Sequence, residues 1–176
     1  LGDGCLTWSV NCALISNPEE EIINRVKLAL GSLNMSLGTS RNNLCYRIQS
    51  NGGRGTSQLK PILEYLGLIG TRSDTKFIPQ EYLDAKLEDR WELIRGLMDT
   101  DGYASDKGTI SFTSTSLEMA ESLQKLIWGM GDICTMVEKA KYYTYKGERK
   151  LGKPAYQLNI RARNPELYFH LSRKKE

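Results

Sequence analysis

Histidine is almost absent from this sequence, and cysteine is scarce and scattered. His170 is the only histidine among 176 residues. Its isolation argues against a histidine-rich zinc site and against a nuclease built on a histidine base. The cysteines show no C-x-x-C spacing, so we expect free, buried thiols and a reducing intracellular compartment, the cytoplasm. They are Cys5, Cys12, Cys45 and Cys134. Long apolar runs are also missing, so neither a membrane span nor a signal peptide is predicted.

Positive charge is concentrated in one late segment. The net charge is only +3, but residues 138–163 carry eight Lys or Arg against two Glu. Tyrosines are interleaved with these cations. A basic and aromatic cluster is typical of a surface that binds a polyanion. A solvated hairpin whose lysines protect its strand edges would have the same composition, and charge alone does not choose between the two.

Two apolar runs end in an acidic residue followed by glycine. Residues 1–4 end this way at Asp3, and residues 94–102 end this way at Asp101, 98 positions later. We expect a duplicated unit that brings the two carboxylates together, as proteins do when they hold Mg²⁺ or Mn²⁺ beside phosphate groups. A calcium-binding EF-hand loop beginning at Asp99 is excluded, because Ile110 stands where that loop needs a bidentate glutamate.

The same offset of 98 relates other parts of the chain. The helix-start pattern that begins at Asn17 falls on the one at residues 115–118, and Gly31 falls on Gly129. We therefore predict an α+β fold of two αββαββα repeats. The first repeat is residues 1–75, the connection is residues 76–88, and the second repeat is residues 89–176. Apolar periodicity predicts helices over residues 17–34, 57–66, 89–98 and 116–130, with short strands within 5–16 and 103–114.

Two later strands alternate apolar and polar side chains, which predicts one buried face and one face able to form hydrogen bonds. Such a polar face could lie on DNA, although a solvated face is also common in antiparallel sheets. The candidate DNA-binding residues are Arg47 and Gln49 in the first strand, Gln157, Asn159 and Arg161 in the second, and Lys139, Lys141 and Tyr143 in the basic segment.

Several of these motifs resemble one known family. Residues 94–102 resemble the LAGLIDADG motif, and residues 1–4 resemble the end of a first copy. Residues 76–79, 25 positions before Asp101, are similar to the Lys-x-Ile-Pro block that precedes the second motif in intein-type (dodecapeptide) homing endonucleases. Residues 109–116 look like the strand-to-helix block that follows that motif. The resemblance to LAGLIDADG homing endonucleases covers nearly the whole chain.

The resemblance implies two pseudo-symmetric repeats that pack through their motif helices. Saddle-shaped antiparallel sheets would lie on a long, asymmetric double-stranded DNA site, and both strands would be cut by a monomer with an internal pseudo-dimer. Asp3 and Asp101 match the acidic positions that bind divalent metal, with Ca²⁺ supporting binding without cleavage. Asp99 matches an earlier aspartate that Leu1 replaces in the first copy, so a structural role at the helix end is expected for it.

Lysines complete the predicted catalytic set. A lysine beside each scissile phosphate can stabilise developing negative charge. Lys76 is the first candidate, and the offset of 98 gives Lys174 as its partner. Lys175 is a close rival, and a frayed, solvated tail is the alternative for both C-terminal lysines.

Two departures from the family pattern qualify the prediction. The chain starts at Leu1, so we expect the first motif helix to be truncated and to be supplied by preceding residues or a separate piece. The terminal residues carry no splicing chemistry. A LAGLIDADG-type module that binds nucleic acid without cutting it, such as a maturase or a DNA-binding regulator, is the main alternative. Retention of Asp3, Asp101 and Lys76 favours the metal-dependent endonuclease.

Overall fold

The computed structural model describes residues 1–6, 13–39, 45–51, 58–105 and 108–175. Two compact units, Leu1–Arg72 and Ser73–Glu176, divide the chain. Residues 76–88, predicted as a connection, therefore belong to the second unit. Over the described ranges, no helix is long and apolar enough to cross a membrane.

The first unit is a four-stranded sheet with two helices. Its elements are β1 (Gly4–Cys5), β2 (Leu14–Ser16), α1 (Glu20–Ser32), β3 (Met35–Thr39), β4 (Cys45–Ser50) and α2 (Leu59–Tyr65). The sheet order is β1-β2-β4-β3, and every neighbouring pair is antiparallel. Helix α1 buries Ile22, Ile23 and Leu30, which lie on one side of the helix.

The second unit has a sheet of the same strand order. Its elements are α3 (Gln80–Leu83), α4 (Leu87–Asp101), β5 (Gly102–Ala104), β6 (Ile110–Ser114), α5 (Leu117–Gly129), β7 (Ile133–Lys139), β8 (Tyr142–Tyr145), β9 (Glu148–Leu151) and β10 (Ala155–Arg161). The sheet order is β5-β6-β10-β7, and β8 and β9 form a separate two-stranded hairpin. The predicted α+β class with antiparallel sheets is confirmed. Two 3-10 turns, Pro165–Tyr168 and Ser172–Lys174, replace the predicted final α-helix.

One face of the second sheet forms the core of its unit. Phe112 and Leu158 pair across β6 and β10 and are at most 2% exposed. Helix α5 buries Ala120, Leu123 and Ile127 completely against this region, at helical spacing. Burial of each large apolar side chain stabilises the fold by roughly 1.5–3 kcal/mol.

Capping explains where α5 begins. The Ser116 hydroxyl accepts a hydrogen bond from the amide of Met119 at 3.2 Å and donates one to the carbonyl of Lys76 at 2.6 Å. The prediction of an N-cap at Asn17 is wrong, because α1 begins at Glu20 and has no side-chain cap. The side-chain oxygen of Asn17 accepts the amide of Glu19 at 2.7 Å, just before the helix, and its NH2 group donates to the carboxylate of Asp3.

Ser116→Ala should lower the free energy of unfolding by about 1–2 kcal/mol, because it removes a helix cap and the partner of a main-chain carbonyl. Urea unfolding followed by circular dichroism measures this loss. Ser73→Ala, at an exposed serine of the same unit, is the control. Equal stability of the two variants would contradict the assigned role of the Ser116 hydroxyl.

The three cysteines within the described ranges are free thiols. Cys134 is buried, and burial raises its pKa to about 11, so the thiol stays protonated near neutral pH. Cys5 and Cys45 are only partly buried, contrary to the prediction of buried thiols for them. Cys12 lies outside the described residues.

Candidate metal centre and nucleic-acid interface

The chain turns from helix to strand directly at Asp101. Asp101 is the last residue of α4, its side chain is exposed, and Gly102 is the first residue of β5. The amide of Gly102 donates to the carbonyl of Met98. A Cβ atom at position 102 would lie 2.5 Å from that carbonyl oxygen, closer than packing allows. Glycine is therefore required for this tight turn, which places the Asp101 carboxylate at the helix end.

The side chain of Asp99 is buried, as expected for a residue with a structural role at the helix end. It is 6% exposed, and its carboxylate accepts hydrogen bonds from the amides of His170 at 2.9 Å and Leu171 at 3.0 Å. These amides belong to the C-terminal segment, residues 165–174. Asp99 therefore joins the last turn of α4 to a segment that is distant in sequence.

The Lys174 ammonium lies at the same helix end as Asp101. It donates to the carbonyl oxygens of Met98 and Asp99, each at 2.8 Å, and of Gly102 at 2.6 Å. The carbonyls at the end of a helix have no amide partner within the helix, and a cation there is favourable. The structure thus brings Lys174 to the acidic corner. The exposed Lys175 makes no described contact of this kind.

Asp3 occupies a comparable corner in the first unit. It is followed by Gly4, the first residue of β1, and it is partly exposed. Its carbonyl accepts a hydrogen bond from the amide of Ser16 at 3.2 Å, and its carboxylate accepts one from Asn17. The side chain is therefore held against the turn that leads from β2 into α1.

Strand register gives the two acidic corners equivalent places in their own sheets. Gly4 pairs with Ile15, which pairs with Tyr46 on the next strand. Gly102 pairs with Phe112, which pairs with Leu158 on the next strand. In each unit, the residue after the acid thus begins the edge strand of a sheet with the same order.

Lys76 lies just before α3 and is partly buried. Its carbonyl accepts the hydroxyl of Ser116, and the nearby residues Ile78 and Pro79 are buried. The main chain at Lys76 is therefore fixed to the start of α5. This anchoring holds the base of the side chain in place relative to the second sheet.

The two acidic residues fit a hard divalent cation by their chemistry. Mg²⁺ prefers oxygen ligands and is usually held by one or two carboxylates, with water and substrate phosphate completing its shell. Asp3 and Asp101 both provide carboxylate oxygens that solvent reaches. Among the described residues, no group of three or more His, Cys, Asp or Glu side chains could hold a metal ion.

The face of the second sheet opposite the core is polar. Asn159 lies between Ser111 and Thr135 on the neighbouring strands, and Gln157 lies between Thr113 and Val137. Directly opposed residues project from the same face, so these side chains form rows across the sheet. Gln157 donates to the side-chain oxygen of Asn159 at 3.0 Å, and Arg161 is exposed at the end of the strand.

The first sheet also has a polar face. Arg47 and Gln49 are exposed on β4, opposite Gly38 and Ser36 of β3. A Cβ atom at Gly38 would lie 2.8 Å from the amide oxygen of Gln49, so the Gln49 side chain lies across the glycine. These two exposed residues alternate with Tyr46 and Ile48, which are partly buried rather than buried as predicted, and Gly38 provides room for a long polar side chain.

The basic segment forms an exposed hairpin with aromatic residues on both faces. Tyr143 pairs with Lys150, and the guanidinium of Arg149 lies 4.1 Å from the ring centroid of Tyr142. Lys141 lies at the base, where its carbonyl accepts the amide of Gly152 at 2.7 Å. Lys139 is the last residue of β7 and is exposed. Every residue of β8 and β9 is exposed, so both faces of the hairpin are accessible.

Residues 88–164 match the family described as "LAGLIDADG-like domain". This region of the second unit is similar to a LAGLIDADG-like domain. The match spans α4, the acidic corner at Asp101, the second sheet and the hairpin, and it confirms the resemblance that the motifs indicate.

Two curated relatives match this chain over part of their own length. The chain is 30% identical over 114 residues to a replicative DNA helicase DnaB of Mycobacterium intracellulare, covering 65% of this chain and 18% of the helicase. It is 30% identical over 118 residues to the DNA-directed RNA polymerase subunit Rpo1C of Methanocaldococcus jannaschii, covering 64% of this chain and 13% of that subunit. The chain thus spans less than a fifth of either relative.

Solved structures of the homing endonuclease I-DmoI share the fold. Mesophilic variants of I-DmoI match with a TM-score of 0.56 at 14% identity, covering 95% of this chain and 86% of theirs. I-DmoI in complex with DNA and Ca matches with a TM-score of 0.52 at 13% identity, over 91% and 75% of the two chains. A variant bound to its target DNA in the presence of Mg also scores 0.52, at 13% identity, over 93% and 83%.

Sequence reasoning missed several residues of the second unit. Ser111 and Thr113 alternate with buried Ile110 and Phe112, so the same two-residue period would have placed them on the polar face. The cation–π contact between Arg149 and Tyr142 becomes visible only once the hairpin register, which places Arg149 opposite Thr144, is known. His170, set aside as a lone histidine, forms a 2.9 Å contact with the Glu92 carboxylate.

Electrostatics around Glu92 follow from its two partners. Partial burial raises the pKa of Glu92, but hydrogen bonds and charge from His170 and Arg95 outweigh burial, and the pKa is lowered overall. The Arg95 guanidinium also donates to the carbonyl of Leu167 at 2.9 Å. These contacts hold the middle of α4 to the C-terminal segment.

Proposed function

We propose that the protein is a divalent-metal-dependent endonuclease that cuts both strands of a long, asymmetric double-stranded DNA site. The observation that carries the proposal is the pair of acidic corners. Asp3 and Asp101 each precede the glycine that begins the edge strand of a sheet with the same order. We assign these two carboxylates to divalent-metal binding in a monomer with an internal pseudo-dimer.

Phosphodiester hydrolysis requires a positioned water, neutralisation of phosphate charge and stabilisation of the leaving oxygen. Bound Mg²⁺ would neutralise charge on the phosphate. In our proposal, Asp3 and Asp101 each provide a carboxylate for divalent-metal binding, and the Lys76 ammonium stabilises negative charge at one scissile phosphate. Anchoring of the Lys76 main chain by Ser116 supports this role, because a positioned cation reorganises little during the reaction.

DNA recognition falls to the polar sheet faces and the basic hairpin. Arg47, Gln49, Gln157, Asn159 and Arg161 carry donors and acceptors suited to base edges. Lys139, Lys141 and Tyr143 supply backbone contacts and an aromatic surface. Two of the similar I-DmoI structures contain DNA, which supports a nucleic-acid partner for this fold.

Replacement of both Lys139 and Lys141 by alanine should weaken DNA binding and flatten its salt dependence. The slope of log K against log salt should fall by about 0.9 for each phosphate that the variant no longer neutralises. Binding measured by fluorescence anisotropy across a salt series tests this. Lys86→Ala combined with Lys125→Ala removes two exposed lysines, one just before α4 and one on α5, and controls for the change in net charge. Equal slopes for the two double variants would assign the hairpin lysines to a solvated surface.

The relatives support an intein-associated origin for the domain. A helicase and an RNA polymerase subunit are proteins of different named activity, yet each matches this chain over a segment shorter than a fifth of its length. A segment common to such different hosts is expected of an inserted element. We therefore propose that this endonuclease domain is carried within, or derived from, a protein-borne insertion.

A cleavage selection tests the proposed function directly. The protein, with any residues its gene encodes upstream of Leu1, is incubated with duplexes that carry a randomised central region. Cut ends are captured and sequenced in Mg²⁺, and bound duplexes are sequenced in parallel in Ca²⁺. We expect one long motif to be enriched in both pools. Enrichment of bound duplexes without any cut ends in Mg²⁺ would establish the non-cleaving binding module instead.

A further inference from the structure

The C-terminal segment covers one side of α4 along most of the helix. The rings of Trp91 and Tyr168 meet edge to face with centroids 5.3 Å apart, and Arg95 bonds the carbonyl of Leu167. Tyr168, Phe169 and Leu171 are at most 1% exposed. The segment is therefore part of the folded unit rather than a frayed tail, and its approach to the end of α4 is fixed by packing.

Two reciprocal contacts close this packing at the acidic corner. The Asp99 carboxylate of α4 accepts two amides of the segment, those of His170 and Leu171. In the other direction, the Lys174 ammonium of the segment donates to carbonyls of the helix end. The carboxylate from the helix is thus hydrogen-bonded by main-chain amides of the segment, and the ammonium group from the segment is hydrogen-bonded to main-chain carbonyls at the helix end.

Lys174 supplies a positive charge at the C-terminal end of α4. The last turn of α4 contains no basic residue, although a cation there would be favourable. The carbonyls that Lys174 bonds include those of Asp99 and Gly102, which lie on either side of Asp101 in sequence. An ammonium group has three N–H donors, and three carbonyls lie within hydrogen-bond distance. To contact a phosphate directly, the Lys174 ammonium group would have to break hydrogen bonds to these carbonyls.

We propose that Asp99 and Lys174 are positioning residues, which clamp the C-terminal segment to the last turn of α4 and so fix the Asp101 carboxylate for metal binding. This inference rests on the proposed function, since it assumes that the Asp101 carboxylate binds the divalent metal. It also replaces the direct phosphate contact predicted for Lys174 with an indirect role. Lys76 then remains the lysine that we assign to a phosphate.

The test combines a local structural readout with metal binding. Lys174→Met keeps most of the aliphatic stem but removes the donors, and Asp99→Asn weakens the acceptor of the two amides. Hydrogen–deuterium exchange of residues 98–104 should rise in both variants. Loss of a group that orients a metal ligand typically costs 10- to 100-fold in affinity, so we expect weaker Ca²⁺ binding to the DNA complex by about tenfold or more in calorimetry.

Three further measurements separate the alternatives. Lys174→Arg should restore much of the metal affinity, because it keeps a cation at the helix end. Lys125→Met, which removes an exposed lysine from α5, should match the unaltered protein. Cleavage by Lys174→Met should be slowed equally on both strands and should recover towards the normal rate at high Mg²⁺. A direct phosphate role predicts instead a defect on one strand that high Mg²⁺ does not relieve.

If hydrogen–deuterium exchange at residues 98–104 is unchanged in the variants, Asp99 and Lys174 do not clamp the C-terminal segment to α4. If exchange rises but the Ca²⁺ affinity is unchanged, the clamp exists but does not position Asp101 for metal binding. Failure of the unaltered protein to cut DNA in Mg²⁺ would refute the nuclease. In that case, exchange and the Ca²⁺ titration would still decide the role of Asp99 and Lys174. If Lys174→Met does not fold, Asp99→Asn provides the same two readouts, and Lys174→Arg remains the variant expected to stay close to the unaltered protein.

Discussion

Asp101→Asn should abolish double-strand cleavage while leaving DNA binding in Ca²⁺ largely intact. The substitution keeps the size and hydrogen-bonding capacity of the side chain but removes the negative charge that holds the divalent cation. Metal-derived charge stabilisation is worth several kcal/mol at the transition state, so we expect a fall in cleavage rate of about a thousandfold or more. The measurement is single-turnover cleavage of the selected duplex in Mg²⁺, together with anisotropy in Ca²⁺.

Asp89→Asn provides a matched control for this experiment. Asp89 is an exposed aspartate in the first turn of the same helix, so the two variants share the chemical change and the structural element. Cleavage by Asp89→Asn should be close to normal. A normal rate for Asp101→Asn in Mg²⁺ would remove this residue from the metal site, and a loss of folding in its circular dichroism would assign the defect to structure.

Lys76→Ala should convert the enzyme into one that nicks. If Lys76 stabilises charge at one scissile phosphate, its loss slows that strand by about 10²- to 10³-fold and leaves the other strand at its ordinary rate. Strand-resolved cleavage of a duplex labelled at both ends measures the two rates separately. The product should be a duplex that is cut on a single, constant strand.

Lys86→Ala, at an exposed lysine just before α4, controls for the loss of a positive charge in this region. Ordinary cleavage of both strands by Lys76→Ala would exclude Lys76 from the reaction. Equal slowing of both strands would assign Lys76 to folding or to general DNA binding, because neither of those roles distinguishes one phosphate from the other.

Local patterns in the sequence were sufficient to predict the positions of most helices and strands. Apolar spacing places α1, α4 and α5 within a few residues of their observed bounds, and alternation along β10 separates buried Leu158 from Asn159 on the polar face. The acidic corner at Asp101 is also local, since the turn depends on the glycine that follows it. These features are set by side chains that lie close together in the chain.

What the sequence did not reveal depends on main-chain partners that are distant in sequence. The amides that bond Asp99 come from His170 and Leu171, and any residue type could donate them. The acceptors of Lys174 are carbonyls, which carry no sequence pattern. The predicted equivalence of Lys76 and Lys174 rested on a constant offset. In fact, Lys76 follows β4 by about twice as many residues as Lys174 follows β10.

Under the proposed function, the hairpin formed by β8 and β9 allows the DNA target to change independently of the residues assigned to cleavage. It is inserted between β7 and β10. The end of β7 pairs directly with the start of β10, where Lys139 lies opposite Ala155. Its residues contribute nothing to the buried core, so selection for a new DNA sequence can change their identity or number while the sheet register stays the same. Under the proposed function, a new DNA target could therefore be acquired by changes in this hairpin while the acidic corner stays unchanged.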